Sequence, residues 1–302
     1  MATPIPTTNN IISSIDPSSK LSDQIKEFVR LHNPKLFILT PCYGGMCHLN
    51  YLCALMKTVD IFKSYNFPLQ IEFCRNDSLI SRARNNLIAK AMNDPYMTHV
   101  LFIDSDITWD STDIFKLILA DKHLIGGVYP LKSYFWNKLI YKNPNTNPNP
   151  NHKYPLESLL ERRKESDILS RLYSEEDFIK QNLLNYNINY IKSNLEIDNN
   201  IAEVKHIATG FILIKRITLQ TMMQHYTETK YIDDVSFLLN HENKFAYALF
   251  DCRVEDNHYL SEDWLFCNRW SKLGGKIYID VSIDLTHTGQ EDYKGSYIST
   301  II

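Results

Sequence analysis

The chain has 302 residues, a formal net charge of -3, 44% hydrophobic residues and 12% aromatic residues. These values allow one large α/β domain or two modest ones, provide ample material for a packed core, and argue against a chain disordered throughout. The balance of charge offers no broad attraction to nucleic acid or anionic lipid, so neither is an expected partner.

No stretch approaches the roughly eighteen uninterrupted apolar residues of a membrane span, and the first twenty residues lack the basic and apolar regions of a signal peptide. Residues 1–20 read as a flexible tail ahead of a helix that begins near Leu21. Six cysteines without a C-x-x-C pair suggest ordinary thiols of a reducing compartment. The spacing of Cys42, Cys47 and His48 fits no familiar zinc site.

From Lys35 onward strands and helices alternate. "KLFILT" is a short apolar strand, and a helix follows over about Asn50 to Ser64. "LQIEFC" is a second strand. Ser78 then reads as the N-cap of the helix "LISRARNNLIAKAMN". The run "HVLFI" has the composition of a strand covered on both faces, and it ends at Asp104. A helix "STDIFKLILADK" and a strand "LIGGVYP" complete a pattern that predicts a largely parallel, doubly wound sheet. Residues 137–200 interrupt it with the Asn/Pro tract "NPNTNPNPN" and a charged, helix-periodic stretch in which Leu156, Leu159, Leu160, Ile168, Leu172 and Ile179 recur near one face. This is read as a helical insertion, with a lid, an acceptor wall, an oligomer contact or a solvated decoration as its candidate roles. The pattern resumes with "KHIATGFILIKR", an apolar strand after a small-residue turn, and ends with "YLSEDWLFCNRWSKLGGKIYID", a helix closed by Gly274-Gly275 before a final strand.

Asp104 and Asp106 follow the third strand at the edge where open α/β sheets bind ligands. Residues two apart in an extended stretch share a face, so the two carboxylates can converge and repel. A divalent cation relieves that repulsion and bridges to phosphate oxygens, whereas turn-forming aspartates need no ligand. On the helix over 78–93, Leu79, Ile80, Ala83, Leu87 and Ala91 form one apolar face with Arg84 at its edge. A half-buried guanidinium there needs an anionic or planar partner, either a ligand or an acid such as Glu72. Asp77 is either a base or ribose contact or a cap for the helix start. Ser261 reads as an N-cap that puts Glu262 and Asp263 in the first turn of a helix, where the dipole favours the charged form a proton acceptor requires.

"HVLFIDSDI", together with "SLISRARNNLIAKAM", "GGVYPLKSYFW", "ATGFILIKR", the "SEDW" helix and "LTHTGQEDYKGS", resembles the GT-A glycosyltransferases, most nearly the family-two-like group of bacteriophages and large DNA viruses. The resemblance covers about 35–136 and 204–296, and it implies a single GT-A domain over 21–302. It implies a nucleoside-diphosphate sugar donor, UDP- or GDP-linked, and a glycan or glycoprotein acceptor, in the host cytoplasm or a virion. It further implies Mn²⁺ or Mg²⁺ held by Asp106, Asp104 and His287. Thr40, Pro41, Tyr43, Asp77, Arg84, Asp104 and Ser105 would line the nucleotide, and Lys294 would be either an ordinary exposed lysine or a contact to the diphosphate. Asp263 would be the base of an inverting transfer, with Glu262 positioning the acceptor. Trp136 would be either a stacking platform for the acceptor sugar or a core residue.

Two other classes compete. "DSDIT" also fits the D-x-D-x-T signature of haloacid-dehalogenase-like phosphatases, with Asp104 as nucleophile and Asp106 as acid. That family places the motif on its first strand and needs a later acid pair, for which only Asp233-Asp234 offers itself. A non-catalytic carbohydrate-binding or structural protein is the third reading.

Overall fold

In the computed structural model, residues 20–140, 155–192 and 195–291 are described. The Asn/Pro tract, the expected N-terminal tail up to residue 19 and Lys294 lie outside them. Two compact units are present, one formed by the described parts of 1–129 and 188–302 and the other by Pro130–Asn187.

In the larger unit, α1 (Leu21–His32) precedes β1 (Leu36–Cys42), α2 (Leu49–Ser64), β2 (Leu69–Arg75), α3 (Ile80–Met92), β3 (His99–Ile103), β4 (Ile107–Thr108), α4 (Asp113–Leu119) and β5 (Leu124–Gly126). Every residue of β1 and β3 is buried. Alternation sends Leu36, Ile38, Leu101 and Ile103 to one face and Phe37, Leu39, Val100 and Phe102 to the other. On the first face they meet α1, α2 and α4 through Phe28, Leu55, Phe62 and Phe115. On the second they meet α3 through Leu87, Ile88 and Met92. A strand clothed on both sides has no polar face to show, which explains its unbroken apolar run.

The smaller unit carries α5 (Asn137–Ile140), α6 (Pro155–Glu165), α7 (Asp167–Leu172) and α8 (Glu175–Leu183). Ser166 and Ser174 cap α7 and α8 by accepting the N–H groups of Leu169 and Asp177. Phe178 and Leu183 are its buried centre. The expected apolar face is only partly right: Ile168 and Leu172 of α7 are 69% and 66% exposed. The inserted unit also starts and ends earlier than 137–200. The reason is pairing: β6 (Ile188–Asn189), β7 (Ile197–Asp198) and β8 (Ile201–Val204) form ladders within the larger unit.

The larger unit then closes with β9 (His206–Ile207), β10 (Phe211–Lys215), α9 (Arg216–His225), β11 (Arg253–Glu255), β12 (His258–Leu260), α10 (Glu262–Lys272), β13 (Ile277–Asp280) and β14 (Thr286–His287). The central sheet has the order β2-β1-β3-β10-β5-β13-β8-β7. Six of its eight strands run one way, and β10 and β8 are reversed. The sheet is therefore mostly parallel, as expected, and mixed through its two reversed strands, which the sequence did not announce. β10 enters its slot between β3 and β5 straight from Gly210, whose carbonyl accepts the N–H of Asp104. It thus starts at the edge where β3 ends and can run only antiparallel to it. Among the described residues no helix is long and apolar enough to cross a membrane.

Candidate functional site

Pro41, Cys42, Tyr43, Cys74, Asp77, Ser78, Ile80, Asp104, Ser105 and Asp106 line one cleft of about 280 Å³. It opens where β1, β2 and β3 end, at the low end of the size range of ligand pockets. Five residues expected at the nucleotide, namely Pro41, Tyr43, Asp77, Asp104 and Ser105, are brought together there. Tyr43 is 76% exposed on a turn held open by Gly44 and Gly45, both with positive φ. Thr40 is a correction. It is fully buried and its hydroxyl is hydrogen-bonded to that of Tyr51 at 2.6 Å, so it belongs to the core beneath the cleft.

Asp77 is engaged at the helix entry, one of its two expected roles, and also pairs with Arg82, a partner not foreseen from the sequence. Its Oδ1 accepts the Leu79 N–H at 2.9 Å, and both oxygens accept from Arg82, at 2.9 and 2.8 Å. Ser78 is not the N-cap of α3: that residue is Leu79, and it is Leu79's own N–H that Asp77 accepts.

Arg84 is the second correction. Its side chain is only 4% exposed and presents no surface to a nucleotide. Its Nη2 lies 3.1 and 3.3 Å from the two oxygens of Asp104, and its Nε lies 3.5 Å from Glu262 Oε1. The guanidinium also stands 5.4 Å from the Phe102 ring centre. Glu72, the acid expected as an alternative partner, pairs with Lys90 instead. The apolar stripe on α3 misled here: Leu79 and Ile80 are exposed, while Arg84, Asn85 and Asn86 are buried. Asn85 exchanges hydrogen bonds with the backbone of Phe250, and Asn86 donates to Asp233, so a second layer covers the polar side of the helix.

Asp106 and His287 meet through the short β4–β14 ladder, in which Ile107 pairs with His287. His287 Nε2 lies 3.4 Å from Asp106 Oδ2, and the Thr288 N–H donates to the Asp106 carbonyl. Two of the three expected metal ligands are thus adjacent, while the Asp104 carboxylate is engaged by Arg84. Among the described residues no group of three His, Cys, Asp or Glu side chains is placed to hold a metal. An oxygen and an imidazole nitrogen side by side are nonetheless donors that Mn²⁺ and Mg²⁺ accept, and Asp106 opens on the cleft. Burial pushes the Cys42 thiol up to about 11, which disfavours the thiolate a metal would need.

Glu262 and Asp263 occupy the first turn of α10 as expected. Ser261 acts differently from a simple cap, because its hydroxyl donates to Asp263 Oδ1, which also accepts the Trp264 N–H. Burial raises Glu262 above its ordinary value of 4.5, against the opposing pull of Arg84. Arg84 therefore ties the strand-end acid to the helix-end acid.

Two residues of this site went unread in the sequence. Tyr129 is buried beside Asp104 and Arg84, its ring edge-on to His287 at 5.1 Å, and its hydroxyl accepts the Gly210 N–H at 3.2 Å. A Cβ on Gly210 would come within 2.6 Å of that hydroxyl and 2.9 Å of Asp104 Oδ2. The small-residue turn "ATG" was the available clue. Gly210→Ala is expected to cost about 1–3 kcal/mol, as other overpacked cores do, and to displace Asp104. An unchanged urea midpoint would refute that close packing.

Trp136, in the smaller unit, is 55% exposed, with its ring 5.9 Å from that of Tyr134, so the core alternative for it is wrong. No family model matches the chain, and no curated relative matches it. Among solved structures, A197 from STIV is similar at 14% identity and a TM-score of 0.44, over 85% of this chain and 86% of that one. That likeness is too slight to carry an argument about function.

Proposed function

We propose that this chain is a metal-dependent GT-A glycosyltransferase that moves a sugar from a UDP- or GDP-sugar to an acceptor hydroxyl with inversion. The observation that carries the reading is the meeting of the two acid motifs: Arg84 lies between Asp104, at the end of β3, and Glu262, at the start of α10. Four carboxylates, Asp104, Asp106, Glu262 and Asp263, stand in one neighbourhood with Arg84 and His287.

In this reading the base and ribose lie in the cleft against Tyr43 and Pro41, with Asp77 and Ser105 at its polar wall. A divalent cation at Asp106 and His287, with Asp104 beside them, would neutralise charge on the departing diphosphate. Asp263 accepts the proton of the acceptor hydroxyl as that oxygen bonds to the anomeric carbon and the bond to the diphosphate breaks. Glu262 orients the acceptor, and Arg84 holds Glu262 and Asp104 at a set separation.

The phosphatase reading loses support on two counts. The Asp104 carboxylate is paired with a buried guanidinium rather than poised as a nucleophile. Asp233 has its oxygens engaged by the N–H groups of Phe237 and Leu238 and by Asn86.

A thermal-shift titration with UDP- and GDP-sugars, with and without Mn²⁺, tests the proposal. Ligand at a hundred times its Kd stabilises by about 2.7 kcal/mol, a shift of several degrees. The Mn²⁺-dependent part of that shift is expected to vanish in Asp106→Asn. Equal shifts in both proteins would remove the metal assignment, and no shift with any donor would remove the donor assignment.

A further inference from the structure

The β11–β12 hairpin ends at Leu260, two residues before Glu262. Its turn residues Asp256 and Asn257 have φ of 50° and 62°, the left-handed pair that a tight two-residue hairpin turn requires. Leu260 is buried, and Lys272 of α10 holds Glu255 at 3.0 Å, so the hairpin is pinned to the helix that carries the acid pair. Its outer face is nonetheless apolar. Val254 and Tyr259 are directly paired across the strands, 64% and 70% exposed. The phenol is hydrogen-bonded to Cys252, and it is close enough to Asp251 and Glu262 for their charges, with that bond, to hold it above its ordinary value.

We propose that the Tyr259–Val254 face seats the acceptor, a neutral, hydroxyl-rich sugar ring whose C–H face lies on the phenol and whose hydroxyl rim reaches Glu262. The charge around the ring selects the occupant. Asp251 and Glu262 repel an anionic ligand, and an apolar peptide side chain would cover these carboxylates without hydrogen bonds. A sugar offers an apolar face to the aromatic ring and hydroxyl donors to the carboxylates at once. The acceptor role rests on the transferase reading, whereas sugar binding at the hairpin does not.

Saturation-transfer NMR of the full chain with methyl β-glucopyranoside, methyl β-galactopyranoside, methyl α-mannopyranoside and chitobiose tests the site. Saturation is expected to reach the ring C–H protons of at least one probe, to fall by about fivefold in Tyr259→Ala, and to persist in Tyr259→Phe. Tyr259 is exposed, and the thermal midpoint of each variant verifies that it is folded. Absence of transfer from the wild type to every probe, or equal transfer in Tyr259→Ala, overturns the proposal. The two readings fail separately. Tyr259-dependent glycoside binding in a chain that no nucleotide-sugar stabilises keeps the sugar site and rejects the transferase; donor binding with Tyr259-independent glycoside binding does the reverse.

Discussion

Replacing Arg84 with methionine is expected to destabilise the larger unit by about 3–5 kcal/mol, the cost of removing one partner from a buried ion pair. The guanidinium is almost wholly enclosed, and its charge is set against Asp104 and Glu262, with Asp263 nearby. Without it, these carboxylates face one another in a site where burial already raises Glu262. The loss is expected to depend on pH. Removing Arg84 takes away a charged side chain that lowers Glu262, so its folded-state value rises further above 4.5. Stability is then intact below that ordinary value and declines as pH rises through the folded-state value. The gap from wild type in urea midpoint should therefore narrow as the solution is acidified. Adding Asp104→Asn and Glu262→Gln to Arg84→Met should recover much of the loss at neutral pH. A single variant as stable as wild type at neutral pH would show that the cluster needs no internal cation.

The second large effect is expected at Asp263. Asp263→Asn keeps an Oδ1 that can accept from the Ser261 hydroxyl and the Trp264 N–H, so the start of α10 should hold its shape. Removing the charge removes the proton acceptor, for a loss of roughly 10²–10⁴ in transfer rate. The nucleotide-sugar thermal shift should remain, because Asp263 is not among the residues that line the cleft. Rates read as product appearance by NMR also report the anomeric configuration. Turnover at the wild-type rate would move the base to Glu262 or elsewhere, and loss of the donor shift along with turnover would make Asp263 a donor contact.

Where one neighbour decides an element, the sequence was legible. β1, β2, β3, α2 and α10 lie within a residue or two of their expected bounds; for β1 and β3 the reason is that an apolar run covered by helices needs no further information. The α3 helix was read only in half. Its periodicity disclosed the side toward the sheet, but its polar side is buried by Phe250 and Asp233, which lie 165 and 147 residues away along the chain. Helical spacing carries no trace of so distant a partner. Thr40 was misplaced for a similar reason, since a polar residue at a strand end looks like a cleft residue until Tyr51 is seen beneath it.

The sequence by itself determined that two acids would emerge at the end of a buried strand and two more at the start of a late helix. Local patterns suffice for that, since strand composition and helix-start chemistry are properties of neighbouring residues. Only the tertiary structure decided which cations meet those acids. The guanidinium expected to face the nucleotide turned beneath the cleft to join Asp104 to Glu262, and a two-residue ladder carried His287 to Asp106. Charge pairing depends on distance through space, and the packing of β10 between β3 and β5 set those distances.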